Sequence, residues 1–276
     1  MIARMDARVW EKIFKTLMAT DKMAKFEYLG DGVDEGIRIV SSFPGYSFCQ
    51  ILVNKGWAES IEISGDKVGE SFVLDLSETQ NIIKGIRGQR STTLEINSDL
   101  DEHFVTISGP GGSSQIEKRF VEVIRQIPEV ASKVIKFRIS GAKVRRVLSS
   151  IKGLNDTVNV TFGKYKIEAR IGPQSHINEG CGICFWATEA DEIFVSSEPL
   201  GAGIKLDDYQ EGFSNQFLVE SLANAVNEVG TARKEAMEIS EGSDTPIRLR
   251  FRLAETVFVE YIQSPKKVVE LPEPTV

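Results

Sequence analysis

Histidine and cysteine are nearly missing: two of the first and three of the second in 276 residues. With so few histidines, no paired acid and base and no nucleophile motif, catalysis has no visible home in this chain. An odd, small number of cysteines argues against a disulfide framework and for a reducing compartment. No apolar run approaches the roughly 20 residues that cross a bilayer. Charge interrupts residues 1–26 throughout, so this stretch reads as neither a secretory signal nor an anchor. Positive charge is in deficit too: 33 Lys and Arg stand against 40 Asp and Glu, a net charge of −7. The remainder, 41% apolar and 8% aromatic, is ordinary globular composition, long enough for one large core or two modest ones.

The scarce cations are concentrated. Residues 7–20 hold Arg8, Lys12 and Lys15 against Glu11 alone. Residues 79–94 hold Lys84, Arg87 and Arg90 with no acid, and residues 140–155 hold Lys143, Arg145, Arg146 and Lys152 with no acid. These 46 residues carry +9, so the other 230 carry −16. Each segment has helical periodicity. Val9, Trp10, Ile13, Phe14 and Leu17 share one side of a helix over 8–20, and Arg8, Glu11, Lys12 and Lys15 share the other. Ile82, Ile83 and Ile86 make the stripe of a second helix from Ser77, its N-cap, to Gly88, its stop. A third helix is expected over 141–152. Basic helix faces in an acidic protein point to an anionic partner.

Extended runs are expected at 25–29, 36–41, 48–53 and 71–76 before the second helix, and at 92–97 and 103–108 after it. The order then restarts: a strand at 133–139, the third helix, and a hairpin of 157–162 with 166–171 around Gly163. A longer irregular stretch follows over 172–202, with strands near 183–187 and 203–206. A fourth helix over 214–229 precedes strands at 235–239 and 247–253. The second half thus repeats the element order of the first. Long alternating strands with few helices imply an α+β fold, two similar domains of antiparallel sheet with paired helices on one face. The boundaries expected are 1–120, a connector over 121–132, a second domain over 133–265 and a tail over 266–276. Unpaired sheet edges invite association with further chains, and a closed ring would satisfy them.

Two motifs are read as structural. Cys181-Gly-Ile-Cys184 with His176 has the spacing of half a zinc site, but no second Cys pair exists to complete it. Gly109-Pro-Gly-Gly-Ser-Ser114 lacks the Lys-Ser/Thr ending of a phosphate loop and reads as a turn.

The segments Gly36–Gly45, Phe72–Lys84, Thr245–Leu253 and Tyr261–Lys266, in that order and with the repeat, resemble the sliding clamps of proliferating cell nuclear antigen type. The resemblance covers nearly the whole chain. It implies a non-enzymatic trimeric ring of the DNA clamp fold, without cofactor, that encircles duplex DNA and tethers DNA polymerase and other replication and repair enzymes. A separate clamp loader would supply the ATP chemistry. It also implies an intracellular place with replicating DNA: nucleus, archaeal cytoplasm or the host cell of a virus. Arg8, Lys12, Lys15, Lys84, Arg87, Lys143, Arg145, Arg146 and Lys152 would then face phosphates, non-specifically. A client-peptide pocket would be built from Val123, Ile124, Ile127 and Pro128 of the connector with Pro246, Ile262, Ser264 and Pro265. This chain departs from the family at polar Ser42 and Ser264, and at the fourth helix, whose polar face is Glu220, Asn224, Asn227 and Glu228. A checkpoint-type heterotrimeric clamp subunit, or an adaptor that binds proteins through sheet edges without encircling DNA, are the alternatives.

Overall fold

The computed structural model describes residues 1–30, 35–54, 62–64, 68–86, 93–98, 102–123, 135–171, 174–189, 192–199, 213–228, 236–241 and 245–266, some strand residues by backbone alone. In chain order the elements are β1 (Ile2–Asp6), α1 (Ala7–Leu17), β2 (Met23–Tyr28), β3 (Gly36–Phe43), β4 (Ser47–Asn54), β5 (Glu62–Ser64), β6 (Ser71–Asp75), α2 (Leu76–Ile86), β7 (Thr93–Ser98), β8 (Phe104–Gly109) and β9 (Gly112–Glu117). They continue with β10 (Ile135–Ser140), α3 (Gly141–Lys152), β11 (Thr157–Ile171), β12 (Gln174–Glu189), β13 (Glu192–Pro199), β14 (Phe213–Leu218), α4 (Val219–Val226), β15 (Ala236–Glu241), β16 (Ile247–Ala254) and β17 (Val257–Gln263).

All described pairings are antiparallel, in three sheets: β5-β1-β7-β8-β9, β10-β15-β16-β17-β4-β3-β2-β6 and β13-β12-β11-β14. The eight-stranded sheet takes four strands from residues before 121 and four from residues after 132, and is continuous across β17 and β4, where Val259 lies opposite Ile51. The α+β class with antiparallel sheets and helices therefore stands as expected.

Each helix forms because its apolar residues recur at helical spacing and find a sheet to cover. On α1, Trp10, Ile13, Phe14 and Leu17 are wholly buried, with Trp10 stacked on Phe14 at 5.6 Å and Phe14 edge-on to Phe26 at 6.2 Å. Burial of side chains this size stabilises by about 1.5–3 kcal/mol each. Ile83 and Ile86 on α2, Val144, Leu148 and Ile151 on α3, and Leu222 and Val226 on α4 join the same core.

Four expectations need correction. Gly163 does not turn a hairpin: β11 runs through it, and the glycine (φ +88°) lies opposite Gly182 within one long β11–β12 pair. Glycine tolerates this positive φ, and the β11–β12 register continues unbroken on both sides of the pair. The stretch 172–202 contains all of β12 and β13, paired from Gly182↔Pro199 to Glu189↔Glu192, although 203–206 lies outside the described residues. The fourth helix starts at Val219, because Phe213–Leu218 is held as a strand along β11 with Phe217 buried in the core. At α2 the cap is Asp75, whose Oδ1 accepts from the Ser77 and Glu78 amides at 2.9 and 3.2 Å. A carboxylate at a helix start also answers the helix dipole, which a serine hydroxyl does not. Strands β1, β5, β9 and β17 were not foreseen. The loop at Gly109 is a turn: Pro110 and Gly111 link β8 to β9, with Gly109 opposite Gly112.

Candidate functional site

The four helices pack side by side in the order α2, α1, α4, α3. Their apolar stripes are committed to the sheets, so their polar stripes share one solvent face. Arg8 and Lys15 on α1, Lys84 on α2, and Lys143, Arg146 and Lys152 on α3 are exposed there; Lys12 and Arg145 are half-buried. Arg87 lies outside the described residues. Three helices far apart in sequence thus converge on one basic face.

α4 sits inside that row and is not merely neutral. Glu228 lies 3.3 Å from the Lys15 ammonium, and Glu220 lies 3.4 Å from Lys152. Lys152 also donates to Asn224 Oδ1 at 2.9 Å, and Arg145 donates to the Asn227 carbonyl at 3.3 Å. Each exposed ion pair contributes at most about 1 kcal/mol. Their effect on the field of the face is larger, because two of its lysines carry a carboxylate within contact distance.

A second candidate lies on the opposite face of the eight-stranded sheet. Val40, Phe48 and Ile262 form a small buried cluster separate from the main core, and Val123, at the start of the connector, packs against it. Register explains the placement, since Ile262 stands opposite Phe48 and Phe48 opposite Ser42. Of the pocket residues expected from sequence, the structure brings Val123 to Ile262. Pro246 is buried at the start of β16, and Ile124, Ile127 and Pro128 lie outside the described residues.

Half-buried Ser264 and Pro265 follow β17. The Ser264 amide donates to the Tyr46 carbonyl at 2.8 Å and its hydroxyl to the Gly45 carbonyl at 3.2 Å. Beneath them, Tyr261 donates to Gln263 Oε1 at 2.7 Å, and Gln263 Nε2 donates to Tyr46 at 2.8 Å and to the Leu218 carbonyl at 3.2 Å. Burial raises both phenols above their ordinary range. This network ties β17, the β3–β4 turn and the start of α4 together. Phe43, half exposed at that turn, stands edge-on to Tyr46.

Sequence reasoning missed Val40, Phe48, Phe43 and Tyr46. For Val40 and Phe48 the signal available was an apolar residue at the strand parity facing away from the helices; Phe43 and Tyr46, at the β3–β4 turn, offered none. Beside Val123, a cavity of about 450 Å³ runs between Lys25, Val73, His103 and Arg119–Glu122, with Phe120 stacked edge-on against His103 at 5.8 Å.

Of the Cys181–Cys184 motif, the Cys181 and His176 side chains lie outside the described residues. Cys184 is a free, buried thiol pushed up to about 12 by burial. Among the described residues, no three His, Cys, Asp or Glu side chains group as a metal site, and no helix is long and apolar enough to cross a membrane.

Antiparallel sheets, helices aligned in one row and a sheet shared across the connector define the fold of the PCNA-type clamps. The solved structures bear this out. The chain is similar to PCNA from A. fulgidus, solved with the C-terminal region of FEN-1 bound, at TM-score 0.70 and 16% identity, over 98% of this chain and 100% of that one. It is also similar to proliferating cellular nuclear antigen from Entamoeba histolytica (0.69, 14%, over 96% and 98%) and to PCNA from Thermococcus kodakaraensis (0.64, 14%, over 96% and 100%). No family model and no curated protein matches the sequence. At these identities the likeness establishes the fold.

Proposed function

We propose that this chain is a sliding-clamp subunit, a processivity factor whose closed trimeric ring encircles duplex DNA and holds replication and repair enzymes beside it. The observation that carries the reading is the convergence of Arg8, Lys12, Lys15, Lys84, Lys143 and Arg146 from three helices on one face of an acidic protein. Arg145 and Lys152 belong to the same face, and the sequence reading would add Arg87. Such a face attracts phosphates without reading bases, as a sliding contact requires. Among the described residues β9 and β13 are each last in their sheet, and their outer sides would be suited to pair across subunits and close the ring. The domains would be 1–120 and 133–265, joined by a connector over 121–132.

Clients would insert a short apolar peptide on the outer face, between Val123, Ile124, Ile127 and Pro128 and the edge formed by Pro246, Ile262, Ser264 and Pro265, over a floor of Val40 and Phe48. The FEN-1 segment on the A. fulgidus protein supports this mode. Nothing in this mechanism asks for catalysis by the chain itself. It would act inside the cell, with replicating DNA.

Light scattering on the eluting protein tests the assembly: three times the 30.6 kDa subunit mass is expected, and a monomer at micromolar concentration refutes a self-sufficient ring. A second reading, a subunit of a heterotrimeric clamp, is favoured by Glu220 of α4 and Glu228 in the turn after it, which occupy the basic face. It predicts that the ring mass appears only when other subunits are added.

A further inference from the structure

The outer face of the eight-stranded sheet carries the opposite charge from the chain as a whole. Cross-strand register sorts its residues into three rows. One row is Arg248, Ile262, Phe48 and Ser42, and the next is Arg250, Glu260, Gln50, Val40 and Lys25. The third is Arg252, Phe258, Leu52, Arg38 and Glu27. Five cations, Lys25, Arg38, Arg248, Arg250 and Arg252, thus share this face with two carboxylates, Glu27 and Glu260. By backbone register the first two rows continue through Ser240 and Lys136, and through Glu238 and Arg138.

Glu260 is shared, lying 2.7 Å from Arg250 and 3.5 Å from Arg248, and Glu27 lies 3.7 Å from Arg38. Arg252 lies exposed over the Phe258 ring at 4.7 Å. The Nε of Arg248 and that of Arg38 are buried without a hydrogen-bond acceptor. Among the described residues of these rows, four guanidiniums stand with two carboxylates.

We propose that this arginine face is a recognition surface for acidic peptide, contiguous with the client groove, so that favoured clients carry carboxylates beside their apolar anchor. The inference rests on the client-groove reading above and deepens it. Three observations select the occupant. Arg248 stands directly opposite Ile262, so the cationic row begins at the apolar cluster. Arg248, Arg250 and Arg252 are alternate residues of β16, about 6.7 Å apart, the repeat at which an extended peptide presents side chains on one side. Glu27 and Glu260 interrupt the cations, which opposes a continuous phosphate chain but leaves room for discrete carboxylates, each held by a guanidinium fork.

The test uses two fluorescein-labelled peptides with the same helical turn of Leu and two Phe, one extended by Glu-Ser-Glu-Ser-Glu and the other by Lys-Ser-Lys-Ser-Lys. Fluorescence polarisation is read on the full chain between about 50 and 300 mM salt. The acidic peptide is expected to bind about tenfold tighter at low salt and to lose that lead at high salt. The paired change Arg248→Glu with Arg252→Glu should reverse the preference, and Arg248→Gln with Arg252→Gln should flatten it. Val123→Asp should weaken both peptides alike. Thermal melting checks that each variant is folded.

Equal binding of the two peptides to the unaltered protein overturns the inference and leaves the groove standing. Failure of both peptides to bind removes the groove reading itself, and this proposal with it. If a single-stranded oligonucleotide displaces the acidic peptide and loses its own binding in the glutamate variant, the face belongs to nucleic acid and the proposal is wrong.

Discussion

Replacing Glu220 of α4 and Glu228, two residues beyond it, by glutamine should strengthen the grip on DNA while barely touching the fold. The two carboxylates sit 3.4 Å from Lys152 and 3.3 Å from Lys15. Glu220 is largely exposed, so its pair contributes a few tenths of a kcal/mol at most; Glu228, more enclosed, contributes up to about 1 kcal/mol. Melting should therefore fall by no more than a few degrees. The DNA term is larger. Two lysines freed to meet phosphate add up to about 1.8 to the slope of log affinity against log salt, since each contact contributes about 0.9. Over a fourfold change in salt, the variant should lose roughly tenfold more affinity than the parent, from a tighter start at low salt. Polarisation of a labelled duplex between about 50 and 200 mM salt reads both quantities. An unchanged slope, or weaker binding at low salt, would show that the helix row does not face DNA.

Charge reversal at Lys84, Lys143 and Arg146 together should abolish loader-dependent stimulation of a DNA polymerase with the oligomeric mass unaltered; undiminished stimulation refutes the basic face as the DNA surface. Trp10→Ala should cost about 3–5 kcal/mol in urea unfolding, because a wholly buried ring at the α1–sheet contact leaves a cavity; a loss under 1 kcal/mol would mean that the site relaxes freely. Burial raises the Cys49 thiol far above its ordinary range and pushes Cys184 up to about 12, so neither should react with a disulfide reagent at pH 8 until the protein is unfolded. Above about pH 8.5 the unfolded thiols ionise while the folded ones stay protonated. Stability should then fall by up to about 1.4 kcal/mol per pH unit for each thiol, and a stability profile that stays flat from pH 8 to 10 contradicts the burial.

Helices were the most legible part of this chain. On α1 the stripe Trp10, Ile13, Phe14 and Leu17 alternates with Arg8, Lys12 and Lys15 at a period that only a helix satisfies, and α3 was legible to the residue. Local turn chemistry misled where tertiary pairing overruled it. Gly163 looked like a turn but is carried straight by thirteen paired positions between β11 and β12. Phe213–Leu218 looked helical but is held extended by β11. The basic residues of the site were legible because charge and period coincide within each helix. Their partners on α4 were not, because Lys15 and Glu228 are more than two hundred residues apart.

By itself, then, the amino-acid order determined which short segments are helical, which side of each is apolar and where the cations stand, since these follow from contacts within a few turns. It also carried enough order of elements to suggest a duplicated clamp. Tertiary structure alone decided that the helices lie as α2, α1, α4, α3 and that acid from one helix answers lysines of two others. It likewise decided that arginines at alternate positions of β16 share a surface with Ile262, Phe48 and Val40. Those relations are set by sheet register and helix packing between distant segments, and no local period records them.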